Sequence, residues 1–466
     1  MISLPGLNLT AQVPEPLNVP VATQARVQDL PANTEYRFEV SFSRTLTIKL
    51  LSGTAEYFGT ELAPSSSYTF QGAKGAIFTW HGCKLEVTGE AESEYPAEET
   101  QMMSYANAHF ALEMLRDRAA QMGDLGPRAL VVGPENAGKT SVTRILTAYA
   151  VKMGRQPMVV NLDPRQGMLS VPGSLTSAVF SSIVDIEDGW GSSPISGPSP
   201  IPVKMPLVYH YGLKDPEEGK IFKPLVTRMA LAVTSRLEED KASKRSGFII
   251  DSPGSISQGK SGVYENIEHI ISEFSVNIVF VLGSERLYSD LTRKYSSRPQ
   301  DEPVTVIRLD KSGGCVDRSE DYMKELRQSQ IREYFFGHGE QSLAPYSHMA
   351  DFADLNIFKI IDGATETSEF NPGDDDDDDV YGASASIYEK VTPSSLIQNS
   401  LLAITTAAAG ERQGVIRDSS IRGYIYVADV DDSKKKVKLL SPQAGQTPPQ
   451  AMVLGTFPED VPGLVS

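Results

Sequence analysis

Cysteine is almost missing from this chain: Cys83 and Cys315 are the only two in 466 residues, far apart and without CxxC spacing or clustered histidines. That excludes a disulfide framework and a cysteine-based zinc site, and it fits a reducing compartment. Long apolar runs are missing too. Nowhere do about 18 apolar residues follow one another, so no membrane-spanning helix is expected. The opening, MISLPGLNLTAQVPEP, has neither a basic start nor an apolar stretch, so it does not read as a signal peptide. Positive charge is in deficit, with 43 Lys and Arg against 60 Asp and Glu and a formal net charge of −17. A protein that grips nucleic acid through a general basic surface would show the reverse, so any RNA contact must be local or pass through a partner. One acidic run, residues 374–379, reads as a solvated, self-repelling loop.

What is present reads as three parts. The length suits about three domains, and 40% hydrophobic with 22% charged residues is a globular profile. Residues 1–101 form the first part, with β-branched and aromatic runs at YRFEVSF (36–42), TLTIKLLSG (45–53), AEYFGTEL (55–62) and AIFTWHGCKLEVTG (76–89). Their turn-separated spacing predicts a small β-sandwich or barrel. GEAESEYPAEET reads as an acidic link, followed by a helix in which Ala108, Leu112, Leu115 and Ala119 recur and Gly123 stops the run. In the second part, 102–333, apolar strands at 129–133, 157–163, 246–251 and 276–283 alternate with helical stretches, which predicts a parallel sheet covered by helices. A Gly/Ser/Pro-rich loop interrupts it and carries Trp190, as a loop anchor or a docking ring. The third part, 334–466, holds the acidic loop 363–386 and a hairpin signal, IRGYIYVADV and KKKVKLLS around Asp431, Asp432 and Ser433, so a small α+β domain is expected.

GPENAGKT, with an apolar strand before it and an amphipathic helix after it, matches GxxxxGK[ST]. Gly133 and Gly138 permit the tight backbone that aims N–H groups at phosphate oxygens. Lys139 would meet the β- and γ-phosphates and the Thr140 hydroxyl would ligate Mg2+. Asp163 and Asp251 end apolar strands, where a parallel sheet collects its ligand chemistry, and both are candidate metal carboxylates. Arg286 and Arg293, seven apart, would share one helix face as lid candidates over the phosphates. RLDKSG (308–313) does not supply a guanine-reading motif, so ATP is favoured. From residues alone two classes stay open: a P-loop phosphotransferase or NTPase, and an interaction module that holds nucleotide as a structural ligand.

The chain resembles the polyribonucleotide 5′-hydroxyl kinases of the Clp type, subunits of the pre-mRNA cleavage and polyadenylation machinery, and most of all their fungal members. The stretches that carry the resemblance are FGTELA, YTFQGAKGAIFTWHGC, GPENAGKTS, NLDPRQG with VPGS, PLVYHYG, SERLYSDLTR and QIREYFFG. It implies a nuclear protein with a P-loop core between β-rich flanks and a scaffold subunit of the cleavage factor docked on that core. It further implies adenosine contacts from Glu35 and Lys74 and phosphate contacts from Asn136, Ala137, Gly138, Lys139, Thr140 and Ser141.

Two departures bear on activity. Catalytic members carry Asp-x-Gly-Gln, whose carboxylate orients the acceptor hydroxyl; here the stretch is Asp163, Pro164, Arg165, Gln166. Their Thr-x-Gly-Trp clasp stacks the terminal base, worth roughly 1–3 kcal/mol; here it is Ser252, Pro253, Gly254, Ser255, with no ring. The expectation is an ATP-binding, kinase-inactive subunit, with an active RNA 5′-kinase using Asp163 as base as the alternative.

Overall fold

The computed structural model describes residues 25–190, 206–216, 220–259, 262–296, 303–338, 341–361, 386–445 and 448–465. The acidic run and the rest of the loop at 363–385 lie outside the described residues, as does the Gly/Ser/Pro-rich loop beyond Trp190. Trp190 itself packs edge-on against Phe180, with centroids 5.2 Å apart, as a loop anchor would.

Nine short strands build the N-terminal part: β1 Arg26–Leu30, β2 Thr34–Glu39, β3 Leu46–Gly53, β4 Glu56–Tyr57, β5 Thr60–Glu61, β6 Ser67–Phe70, β7 Lys74–Thr79, β8 Cys83–Gly89 and β9 Ser93–Ala97. They pair into two sheets, β1-β8-β3-β6 and β5-β4-β7-β2-β9. Alternation fixes which side chains fill the sandwich: Leu46, Ile48 and Leu50 point in while Thr47 and Lys49 point out. Two of the expected runs are each a pair of strands. AEYFGTEL bends at Phe58 and Gly59, and residues 76–89 fold back at Gly82, all three at positive φ. The acidic link is also not a link. Its SEYPA segment is β9, an edge strand antiparallel to β2, and Glu94 is neutralised there by Arg26 Nε at 2.7 Å and the Tyr36 hydroxyl at 2.8 Å. The acidity of the stretch hid a strand whose one charge, Glu94, is paired.

Helix α1 (Met102–Met122) follows, with Ala108, Leu112 and Ala119 buried and Gly123 at φ 75 closing it on the Ala119 carbonyl. The central part then runs β10 Arg128–Val132, α2 Lys139–Lys152, β11 Met158–Asn161, β12 Ser174–Val179, β13 Leu207–His210, α3 Phe222–Glu239, α4 Lys241–Ser246, β14 Phe248–Asp251, α5 Glu265–Glu273, β15 Ile278–Leu282, α6 Glu285–Tyr295, β16 Thr305–Leu309 and α7 Glu320–Phe336. Sheet order is β13-β12-β11-β14-β10-β15-β16. Five strands are parallel as expected, but β12 and β13 extend the sheet antiparallel, so it is mixed. β10 lies between β14 and β15, and Asp251 at the end of β14 stands level with Val131 and Asn161. That register brings the loop after β10 and the carboxylates after β11 and β14 to one edge.

The C-terminal part comprises β17 Gly337–His338, β18 Gln341–Ser342, β19 Tyr346–Asp351, β20 Ile357–Ile360, β21 Tyr388–Val391, β22 Leu401–Ala408, α8 Gln413–Asp418, β23 Ile421–Asp431, β24 Lys436–Ser441 and β25 Gln450–Leu454. Seven of its strands make one sheet, β19-β24-β23-β22-β25-β20-β21, and the expected hairpin is β23–β24. It packs on the central part through Tyr334 and Phe335 of α7 against Tyr424 and Tyr426 of β23. Buried Arg327 ties α7 to Glu459 at 2.8 Å.

Candidate nucleotide site

β10 is buried along Ala129–Val132, so the chain must leave the sheet within one tight loop. Gly133, at φ 154, sits where a Cβ would strike the Leu282 carbonyl of β15. Gly138, at φ 90, caps α2 with no side-chain hydrogen bond, which leaves the first-turn N–H groups over Lys139, Thr140 and Ser141 free to meet an anion. Asn136 takes the left-handed conformation between the glycines at φ 56.

Lys139 is buried and its Nζ donates to the Pro134 carbonyl at 2.9 Å. Burial pushes its pKa down, against Asp251 and Asp163, which hold the charge. The Thr140 hydroxyl donates to Asp251 Oδ2 at 2.6 Å, while Asp251 Oδ1 is buried with no partner. Burial raises the Asp251 pKa to about 7 in spite of the Thr140 bond. An orphaned carboxylate oxygen beside a threonine hydroxyl is the donor set that Mg2+ takes, so the residues fit that cation. Among the described residues no cluster of three carboxylate, histidine or cysteine ligands occurs, so Mg2+ here would rely on phosphate oxygens as well. Asp163 is buried close to the same lysine. Its Oδ1 accepts from the Arg165 N–H at 3.0 Å and its Oδ2 from Gln166 Nε2 at 3.3 Å, and burial raises its pKa against the pull of Lys139.

The N-terminal sandwich walls the other side of the cleft. Glu35, Arg37 and Glu39 alternate away from Tyr36 and Phe38 on β2, and Lys74 stands opposite Glu39 on β7. Glu35 is buried and accepts from Arg37 Nε at 2.8 Å and from the Thr100 hydroxyl. Lys74 pairs with Glu39 and lies 5.1 Å from the centroid of the Tyr322 ring. Glu35, Lys74 and Asn136 to Ser141 thus line one cleft.

The segment after β16 closes that cleft, though the sequence reading took from it only the missing guanine motif at 308–313 and the isolation of Cys315. The Cys315 thiol would lie 2.7 Å from a Cβ at Gly138, and Gly314 fits flat against Arg37, where a Cβ would lie 2.8 Å from Nε. Arg318 reaches Asn136 Oδ1 at 3.2 Å and Gln166 Oε1 at 3.0 Å, so it bridges the P-loop and the Asp163 turn. Its only signal was indirect: a Gly-Gly pair just ahead of Ser319, the N-cap of α7. Arg286 and Arg293 do share a face of α6, but the structure does not bring them to the cleft. They are 71% and 81% exposed, outside its lining, and both turn to Asp290 between them. A short helix beginning at the end of β15 aims its arginines at solvent unless the segment moves.

On the acceptor side Arg165 is fixed. Its Nη1 meets Glu135 of the P-loop at 2.7 Å and its Nη2 meets Asp215 at 2.7 Å. The turn Ser252–Ser255 is pressed onto the same loop, since a Cβ at Gly254 would lie 2.6 Å from the Glu135 nitrogen. At Ser255, where the resemblance would place a stacking ring, there is a short side chain whose hydroxyl is buried without a partner. The P-loop side has the donors that a triphosphate and a divalent cation take, and among the described residues of the Ser252–Ser255 turn there is no aromatic ring.

Fold and loop together define the class: a P-loop protein with a β-sandwich ahead of its mixed sheet and a β-rich unit behind it. Comparison with known proteins narrows this. Three family models match, "mRNA cleavage and polyadenylation factor CLP1 P-loop" over 133–337, "N-terminal beta-sandwich domain of polyadenylation factor" over 29–119 and "Pre-mRNA cleavage complex II protein Clp1" over 343–459. The chain is 71% identical over 468 residues to the mRNA cleavage and polyadenylation factor CLP1 of Phaeosphaeria nodorum, with 100% of each chain covered. It is 50% identical to the clp1 factor of Botryotinia fuckeliana, with 98% of each covered. Two solved structures match at a TM-score of 0.82 and 28% identity. One is a wild-type Clp1p–Pcf11p complex, covering 94% of this chain and 99% of that one. The other describes an extended Pcf11p–Clp1p interface and the basis of ATP loss in a glycine-to-arginine point mutant, covering 93% and 99%. The chain belongs to the CLP1 family of mRNA cleavage and polyadenylation factors.

Proposed function

We propose that this protein binds ATP with Mg2+ and serves, without kinase activity, as a nuclear subunit of the pre-mRNA cleavage factor. A scaffold subunit docks on its P-loop part, as Pcf11p associates with Clp1p in the related complexes. Its units are 1–101, 102–333 and 334–466, with α1 assigned to the middle one because it packs on α2. Lys139, Thr140 and Ser141 hold phosphates, Asp251 and Thr140 hold Mg2+ with Asp163 beside them, and Glu35 and Lys74 face the adenosine. Contact with RNA is local or indirect, in keeping with the net charge of −17.

The observation that carries this reading is a complete P-loop whose acceptor side is bridged by Arg165 and lacks a ring at Ser255. Phosphoryl transfer is positioning plus charge stabilisation, so an acceptor that cannot be held in line is not phosphorylated. The test is transfer of labelled γ-phosphate from ATP to a 5′-hydroxyl RNA. No transfer is expected from the parent or from Arg165→Gly or Ser255→Trp alone, and a measurable rate from the pair, because both faults act on one geometry. The buried Asp163, beside Lys139 and bonded by Gln166, favours a second reading, an active 5′-hydroxyl kinase with Asp163 as base. Robust transfer by the parent would select it.

A further inference from the structure

We infer that Arg165 is a latch on the acceptor side, its guanidinium joining Glu135 of the P-loop to Asp215 of the segment after β13, and that this latch preserves the γ-phosphate of the ATP bound as proposed above. The Nη1 arm is a charge-assisted hydrogen bond to Glu135 at 2.7 Å, and the Nη2 arm is an ion pair with Asp215 at 2.7 Å, so the two ends of one planar fork are both engaged. Both partner residues are anchored near the backbone. Glu135 is backed by the turn at Gly254, where even a methyl group would collide, and the Tyr211 hydroxyl donates to the Asp215 carbonyl at 2.7 Å. The Arg165 side chain is 23% exposed while its partners Glu135 and Asp215 are 44% and 45% exposed, so water reaches the bridge from the carboxylate ends.

The latch shares a turn with the buried carboxylate it guards. The Arg165 N–H donates to Asp163 Oδ1 at 3.0 Å while its side chain spans away to Glu135. A swing of the guanidinium therefore releases the Glu135 side of the Asp163 turn, while Arg318 still ties Gln166 to Asn136. The reaction held back is hydrolysis. In it the oxygen of water bonds to the γ-phosphorus, the bond to the bridging oxygen breaks, its electron pair leaves on ADP, and the proton of the attacking water passes to Asp163 or solvent. The Asp163 carboxylate, on the same turn as the latch, is the side chain placed to take that proton. A P-loop without a latch would expose this step to any water that entered.

The test follows the nucleotide held by purified full-length protein at 37 °C over hours, released by acid and separated into ATP and ADP. The parent should keep ATP. Arg165→Ala, and the double variant Glu135→Gln with Asp215→Asn, should form ADP at least about 10-fold faster, the scale of one charge-assisted hydrogen bond. Arg165→Lys, a point charge without the fork, should fall between. The two-amide variant alters no carbon framework, so it reads the latch even if Arg165→Ala folds poorly. Equal ATP lifetimes in parent and variants would overturn the latch and leave ATP binding standing. A parent with no nucleotide at all would overturn both.

Discussion

Gly138 has no room for a side chain. Its φ of 90 is a conformation that side chains rarely adopt, and the space above it is taken by Cys315, 2.7 Å from where a Cβ would sit. Gly138→Arg adds both faults and drives a long cation into the cleft between the loop and Cys315. It should remove bound nucleotide and lower the melting temperature, read by acid release of nucleotide and by a thermal scan. Retained ATP in that variant would mean that the nucleotide lies elsewhere. At this scale the P-loop was legible because its chemistry is local: eight consecutive residues dictate both backbone and ligand. Arg318 and Arg165 were not legible in the same way. One comes from a segment far along the chain, and the other depends on partners, Glu135 and Asp215, that only the fold brings near.

Among the elements, α2 carries more than the phosphate site. Arg144, half-buried on its far side, lies 4.9 Å from the centroid of Tyr57 and donates to the Asp185 carbonyl at 2.6 Å. Gly59 lets the β4–β5 turn approach the same helix, with a Cβ there 3.0 Å from Ala148. Arg144→Ala should cost roughly 2–4 kcal/mol through a cavity and a lost cation–π contact, and Arg144→Met less, because it refills the space. Thermal unfolding and proteolysis of the sandwich would show it. The seam between the central sheet and β23 has a titratable counterpart. His210 is buried, bonds the Tyr424 hydroxyl at 3.2 Å, and burial lowers its pKa to about 4. A depressed histidine stays neutral in the native state while the unfolded chain takes up a proton below about 6.5, so stability is lost as pH falls from there toward 4. His210→Gln should flatten that slope in urea titrations; an unchanged slope would remove His210 as its cause. Strands with plain alternation, such as β3, were legible from sequence. β9 was not, because its one charge, Glu94, is paired with distant Arg26, nor were β12 and β13, which pair antiparallel with their sequence neighbours across long loops.

For the molecule as a whole, the cleft lies between the sandwich and the central sheet, with β2, β7, the P-loop and the segment after β16 all on its walls. A ligand there binds only the assembled fold, so ATP at 100 times its Kd would stabilise it by about 2.7 kcal/mol. That is the physical content of nucleotide as a structural ligand: it holds two parts in one arrangement for a partner to recognise. Among the described residues no helix is long and apolar enough to cross a membrane. The measurement that tests this account most directly is the nucleotide content of the purified protein, in the parent and in Lys139→Ala with Thr140→Ala. The account predicts close to one ATP per parent chain, with its γ-phosphate intact, and none in the double variant. A parent that carries ADP, another nucleotide or nothing, or a double variant that keeps its ATP, would contradict it.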